Sequence, residues 1–597
     1  MKQRVLFILL IAAAVFAVYG ASLGNGYVWD DSALIQRDPF IRSWRLIPEG
    51  FRHFLFTDAT ASDFYRPIQR LTYTWDYAWE GFKPGIYHFT SILIHALAAV
   101  FLFLFVERLL NSYERPRARL WAAGVAFIWA IHPLYTSAVC YISGRADPLA
   151  AMFGFCGLWL ALGKKRGASA LAAVMFFLSV CSKESGAMFP LICIVLLMLL
   201  RARREVILRW VFATALVVGA YLTLRLTAEH IAPPPPSHPV TWAARPIIAL
   251  RAFAEYAGLF VAPVHLHMER DVLPFGQGDA ATTLRMARER EFQTLLGAVL
   301  LGGLVVWMRW ARRRDGAVFA GLVGFVIAYV PICGLFSLNA SVAEHWMYVP
   351  GAFLLVAILL SGSWLPVSRG AGIVVLAVWA GFLGVRTWLR NPDWHDERTF
   401  LERTIADGGA SGRMLINLGG LELSEGHTDA AINDLRGALA LSPDQPFALI
   451  SLGGAYLRTR QFALAREQFE KALDNPITAP DALQDIAVLE FQESRTDRVD
   501  LLQKAAEMAP ENWDIQKRFI MHLVERGQNM EAMTTLRAIA SDQWWRADTW
   551  RLLGDNWARL RQWDSAARAY RMAIEDDVHD DQSREKLEAI EGGGSRP

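Results

Sequence analysis

Cysteine is scarce and one-sided: 597 residues hold five, Cys140, Cys156, Cys181, Cys193 and Cys333. Each lies in or beside an apolar run. The set therefore reads as small buried apolar side chains, not as a disulfide framework or a metal site. The stretch beyond about residue 390 has no cysteine. It also lacks any apolar run of the roughly 20 residues that a membrane crossing needs. There is no basic stripe with interleaved aromatics and no metal-finger spacing, which removes nucleic acid from the expected partners. The net charge of +2 excludes little, because the basic residues cluster by position.

The first 390 residues or so are different: long apolar runs alternate with short basic clusters. They carry the average to 54% apolar and the mean hydropathy to +0.24. Eleven candidate spans emerge, at about 5–23, 88–106, 120–138, 148–163, 168–181, 186–200, 206–227, 292–308, 317–336, 348–365 and 371–389. The first reads as a retained anchor, because it follows Lys2 and Arg4 and has no clear small-residue cleavage site. With eleven spans, the clusters Arg115-Arg117-Arg119, Lys164-Lys165-Arg166, Arg201-Arg203-Arg204, Arg312-Arg313-Arg314 and Arg369 all fall on one side. That side is expected to be cytoplasmic. The stretch 243–264 is apolar but carries Arg245, Arg251 and Glu255, so it is expected to be interfacial or re-entrant.

The opposite face receives the polar loops. Gly26-Tyr27-Val28-Trp29-Asp30-Asp31 follows the first span. Two adjacent carboxylates there can take a proton or hold a cation. The same loop holds Tyr65-Arg66-Pro67 and ends at Tyr87-His88. Its many aromatics suggest amphipathic helices on the membrane surface. Arg66 among them either snorkels or binds a lipid phosphate. Later loops bring His132-Pro133, Arg145 with Asp147, Lys183-Glu184, His265, His267, Arg270 and Asp271, and Glu344-His345. Arg145 and Asp147 either pair with each other or face a ligand. Lys183-Glu184 is either a capping device or a ligand for an anionic headgroup. The His265-x-His267 pair alone does not make a metal site. Five loops with ionisable groups at one membrane level point to a shared polar cavity.

From residue 412 the chain repeats with a period of about 34, in units 412–445, 446–479, 480–512, 513–546 and 547–580. Gly419, Ala431, Leu435 and Ala438 recur as Gly453, Ala465, Phe469 and Ala472, and as Gly554, Ala566, Tyr570 and Ala573. This is the small-large pattern of tetratricopeptide repeats, whose stacked helix pairs form a concave surface suited to peptides or to a partner protein. The expected fold class is all-α: a polytopic membrane bundle at 1–390, a linker at 391–411, a solenoid at 412–580, and a last helix and tail at 581–597.

In this order, the acid loop, Tyr65-Arg66-Pro67, Tyr87-His88, His132-Pro133, Gly144-Arg145-Ala146-Asp147, Lys183-Glu184 and Glu344 to Pro350 resemble the transmembrane and tetratricopeptide-repeat-containing protein O-mannosyltransferases. The likeness covers nearly the whole chain and implies a C-type glycosyltransferase fold. It departs at His345, where animal members more often carry arginine after the glutamate. What the resemblance implies is inverting transfer of a sugar, such as mannose, from a polyprenyl-phosphate carrier to protein Ser or Thr hydroxyls. The expected base is Asp30 or Asp31. The expected phosphate contacts are Arg145, Lys183, Arg66 and Arg270. Glu344, His345, Tyr65, His88, His132, Asp147 and Glu184 are expected around the sugar or acceptor. The lipid-linked sugar accounts for the lack of a Gly-rich phosphate cradle, and no metal is assigned. The expected setting is a bacterial inner membrane, with the repeats in the periplasm. Two alternatives stay open: a transferase of the same fold acting on a lipid or glycan, and a non-catalytic membrane scaffold.

Overall fold

A computed structural model describes residues 2–57, 64–163, 167–229, 242–270, 272, 280–336, 338, 340–366 and 368–592. The expected basic cluster Lys164-Lys165-Arg166, Asp271 and the tail after Gly592 lie outside the described residues. Among the described residues the chain is helical, apart from one isolated bridge between Arg270 and Val342.

Six helices are long and apolar enough to cross a membrane, or seven if the bent pair Ala118–Ala130 and Pro133–Val139 counts as one. Eleven were expected. The difference lies mainly in short apolar helices such as Ala146–Ala161, Ala168–Ser182, Met188–Leu199 and Gly316–Tyr329. The longest of these has 16 residues, short of a full crossing. The bent pair turns by 53° at Pro133, which cannot donate an amide hydrogen to a helix ladder. The stretch expected to be interfacial forms the helix Arg245–Val261, which is not among the six.

The bundle has two polar ends. At one, Glu107 accepts from Arg4 at 2.8 Å and Arg119 at 2.7 Å, and Arg115 meets Asp315 at 2.5 Å. At the other lie the acid loop and the start of the helix Pro84–Ser112. Close packing between helices demands small residues: a Cβ on Gly154 would sit 2.2 Å from the Phe189 ring. The aromatics of the first outer loop do not all lie outward. Tyr65, Tyr73, Tyr77 and Tyr87 are buried, whereas Phe82 and the mutually touching Trp44, Trp75 and Trp79 are exposed. One face of the helix Pro67–Glu80 packs inward because it carries Tyr73 and Tyr77 together with Arg70 and Asp76.

From Gly412 to Asp576 ten helices pair as antiparallel neighbours, and the helix Asp581–Glu591 follows. Three glycines mark where partner helices touch. Added Cβ atoms on Gly419, Gly453 and Gly554 would meet Leu435, Phe469 and Tyr570 at 2.7, 2.4 and 2.5 Å. The solenoid does not hang free. Near its start, Ser411 and Arg413 bond Glu269. Near its end, Tyr77 donates to Asp577 at 2.6 Å and His579 donates to the Tyr77 carbonyl at 2.9 Å.

Candidate active site

The acid loop begins where the first helix stops. Gly26 donates to the His395 carbonyl at 2.7 Å, and Asn25 donates to the Asn391 carbonyl at 3.1 Å. His88 donates to the Gly26 carbonyl at 3.2 Å. Next comes Trp29 at φ 52°, a left-handed conformation that is rare for a bulky side chain. Such strain costs about 1–3 kcal/mol and persists only where packing overrules it. Here the Trp29 ring stacks on Tyr141 at 6.1 Å and on Phe400 at 5.7 Å.

This turn sends the two carboxylates into different surroundings. Asp31 is fully buried. Its Oδ1 accepts from the Ser143 amide at 2.8 Å and hydroxyl at 2.6 Å, and its Oδ2 accepts from the Val28 amide at 3.1 Å. Burial still pushes its pKa up to about 7. Asp30 is half-buried, with the Tyr141 hydroxyl turned toward it. Arg413, Arg66 and Glu269 all act on its charge. Desolvation holds its carboxyl above the ordinary range, and Tyr141 and the two arginines oppose that shift.

Arg66 belongs to a cluster of cations with acids between them. Arg66 donates through Nε and Nη2 to Glu184, at 3.2 and 3.1 Å, and its guanidinium lies 4.6 Å from the Phe64 ring centre. Arg225 approaches the other Glu184 oxygen at 3.9 Å. Lys183 bonds both oxygens of Asp147 at 2.7 Å. Burial lowers the Lys183 pKa and Asp147 opposes it. His345 lies within electrostatic reach of Asp147, Lys183 and Arg66. Its Nδ1 is buried and has no hydrogen-bond partner among the described residues.

The remaining expected residues are held by other partners. Arg145 is fully buried and pairs with Asp76 at 2.6 Å, not with Asp147. Its other donors go to Thr72, Ser91 and the Tyr87 carbonyl. Arg270 pairs with Glu255 at 2.5 Å. Glu344 is buried against Arg390 at 2.5 Å. Tyr65 donates to the Phe51 carbonyl at 2.8 Å. His132 caps Leu134 and donates to the Phe260 carbonyl at 3.0 Å. Burial lowers the His267 pKa to about 4. Among the described residues no three His, Cys, Asp or Glu side chains are grouped to hold a metal.

The expected set missed several residues. Tyr141 and Ser143 sit just before the Gly144-Arg145-Ala146-Asp147 motif, so proximity to it was a usable signal, whereas Asp76 lies in no named motif. Arg390, Arg225 and Arg413 carried none, because they meet Glu344, Glu184 and Glu269 from distant stretches.

No family model matches the chain. It is 21% identical over 454 residues to a protein O-mannosyl-transferase of Caenorhabditis elegans, covering 74% of this chain and 64% of that one. It is 22% identical over 508 residues to the human protein O-mannosyl-transferase TMTC3, covering 78% and 54%. Its relatives are protein O-mannosyl-transferases. The chain spans between about half and two thirds of the length of these relatives. A shorter match, 30% identical over 148 residues, is to human TMTC1, covering 24% of this chain and 16% of that one. Among solved structures, the tetratricopeptide-repeat protein YrrB aligns at 20% identity and a TM-score of 0.22, covering 31% of this chain and 96% of that one. A score of that size carries no argument; the helix pairing itself supports the repeat assignment.

Proposed function

We propose that this chain is a membrane glycosyltransferase that moves a hexose such as mannose from a polyprenyl-phosphate carrier to Ser or Thr hydroxyls of proteins. In this reading Asp30 is the general base. It removes the hydroxyl proton as the oxygen attacks the anomeric carbon from the face opposite the phosphate. The bond between that carbon and the phosphate oxygen breaks, the configuration inverts, and the phosphate leaves with the electron pair. The observation that carries this reading is the split between the two acids. Asp31 has both oxygens filled, by the Val28 amide and by Ser143 of a later loop, whereas the half-buried Asp30 faces the Tyr141 hydroxyl within electrostatic reach of Arg413 and Arg66. A desolvated carboxylate with a raised pKa is a better base than one in water.

Arg66 and Lys183 are assigned to the leaving phosphate, where fixed cations act most strongly in a site closed to water. Each is now neutralised by an acid, Glu184 or Asp147, that an incoming phosphate would compete with. His345 offers a free ring nitrogen for the sugar or phosphate. Arg145 is not assigned to the phosphate, because its donors are committed to buried partners. In this reading the site lies on the extracytoplasmic face of a bacterial inner membrane, and a polypeptide occupies the repeat groove.

The test uses purified protein, a polyprenyl-phosphate hexose and a Ser/Thr peptide. Asp30→Asn should lower kcat by about 100-fold or more while donor binding persists. Arg66→Ala and Lys183→Ala should weaken donor binding and transfer together. Full transfer by Asp30→Asn sinks the assignment.

A further inference from the structure

The loop that carries Asp30 is gripped from two sides by the same soluble region. On one side the linker and the first repeat helix hold its start. Gly26 bonds the His395 carbonyl at 2.7 Å, Trp29 stacks on Phe400 at 5.7 Å, and the Arg413 guanidinium lies 5.2 Å from the Trp29 ring centre. On the other side the last repeat holds its end. Arg42 reaches Asp548 at 3.3 Å and Asp577 at 3.4 Å, and its carbonyl accepts from Val578 at 3.2 Å. Ser43 donates to the Glu575 carbonyl at 2.9 Å.

A solenoid that only recruited an acceptor would need one attachment, and chain connectivity already supplies it at the linker. The second attachment buries charge. The side chains of Arg42 and Asp577 are 12% and 7% exposed, and desolvating such a pair is costly unless both partners stay in place. It also falls on the segment that directly follows the acids, not on a remote loop. We propose that the repeat domain is a positioning element of the site: its two ends hold the loop 25–43 in tension, and Arg42 and Asp577 are positioning residues that set where Asp30 points. The assignment to Asp30 chemistry rests on the function proposed above; the mechanical part does not.

Hydrogen exchange on the full-length protein in detergent tests the mechanical part without a substrate. In Arg42→Ala, and in the isosteric Asp577→Asn, amides of residues 27–36 should exchange about ten-fold faster or more. The helix Pro84–Ser112 should keep its protection, which shows that the bundle is folded. Arg42→Lys should recover part of the loss. Unchanged exchange at 27–36 in both variants overturns the proposal. Transfer to a short Ser/Thr peptide then reads the consequence: kcat should fall about ten-fold with donor KM unchanged. A loss confined to acceptor KM would mean recruitment and would also overturn it. Faster exchange in a protein with no transferase activity would leave the grip standing and remove the enzymatic reading alone.

Discussion

Replacing Asp31 by Asn turns one acceptor oxygen into a donor facing the Val28 amide or the Ser143 pair. A buried donor left without an acceptor costs about 1–3 kcal/mol. Asp31→Asn is therefore expected to lower the unfolding temperature measurably, whereas Asp30→Asn should leave stability within about 0.5 kcal/mol. Thermal unfolding of both variants in detergent compares them directly. Arg145 belongs at this scale as well. Arg145→Ala strands the buried Asp76 carboxylate and should cost about 3–5 kcal/mol, visible as lost folded yield. The pH dependence follows from Asp30. Its carboxyl is held above the ordinary range by desolvation, and a base works only when deprotonated. The acid limb of kcat should therefore lie above the roughly 3.9 of a free aspartate. A limb at or below that value would contradict the base assignment.

At the scale of the element, adjacent glycines make a paired experiment. A Cβ on Gly453 would sit 2.4 Å from the buried Phe469 ring, whereas Gly454 has nothing within 4 Å. Gly453→Ala should overpack the helix pair by about 1–3 kcal/mol. Gly454→Ala should be neutral or stabilise by about 0.5–1 kcal/mol, because alanine costs a helix less backbone entropy. Chemical unfolding of the two variants gives the comparison. The repeats were legible for this reason: a local pair of helices fixes which residues must be small and which large. The short bundle helices were less legible. Hydropathy marks an apolar run but not whether it crosses alone or packs as one half of a broken element. The bend at Pro133 and the 12-residue helix Met188–Leu199 are examples.

For the whole molecule, orientation is the first quantity to measure. Gln36 is exposed beside the acid loop, Lys471 is exposed on the solenoid, and Ser112 is exposed at the opposite end of the bundle. Four of the five native cysteines are buried. A membrane-impermeant thiol reagent on intact cells should therefore label Gln36→Cys and Lys471→Cys and spare Ser112→Cys. Labelling of Ser112→Cys alone would place the acids on the cytosolic face and end the proposed chemistry.

Composition and periodicity by themselves determined that this chain is helical, that its first part is apolar and that its last part is repeated pairs. Those properties follow from local burial and helix geometry, which neighbouring residues encode. The partnerships were decided only by the tertiary structure: Arg145 with Asp76, Arg66 with Glu184, Arg390 with Glu344, and the solenoid's far end with Arg42. A charge in a sequence has many candidate partners of opposite sign. Which one it meets depends on how separate helices pack, and that packing also gives two adjacent identical carboxylates different surroundings.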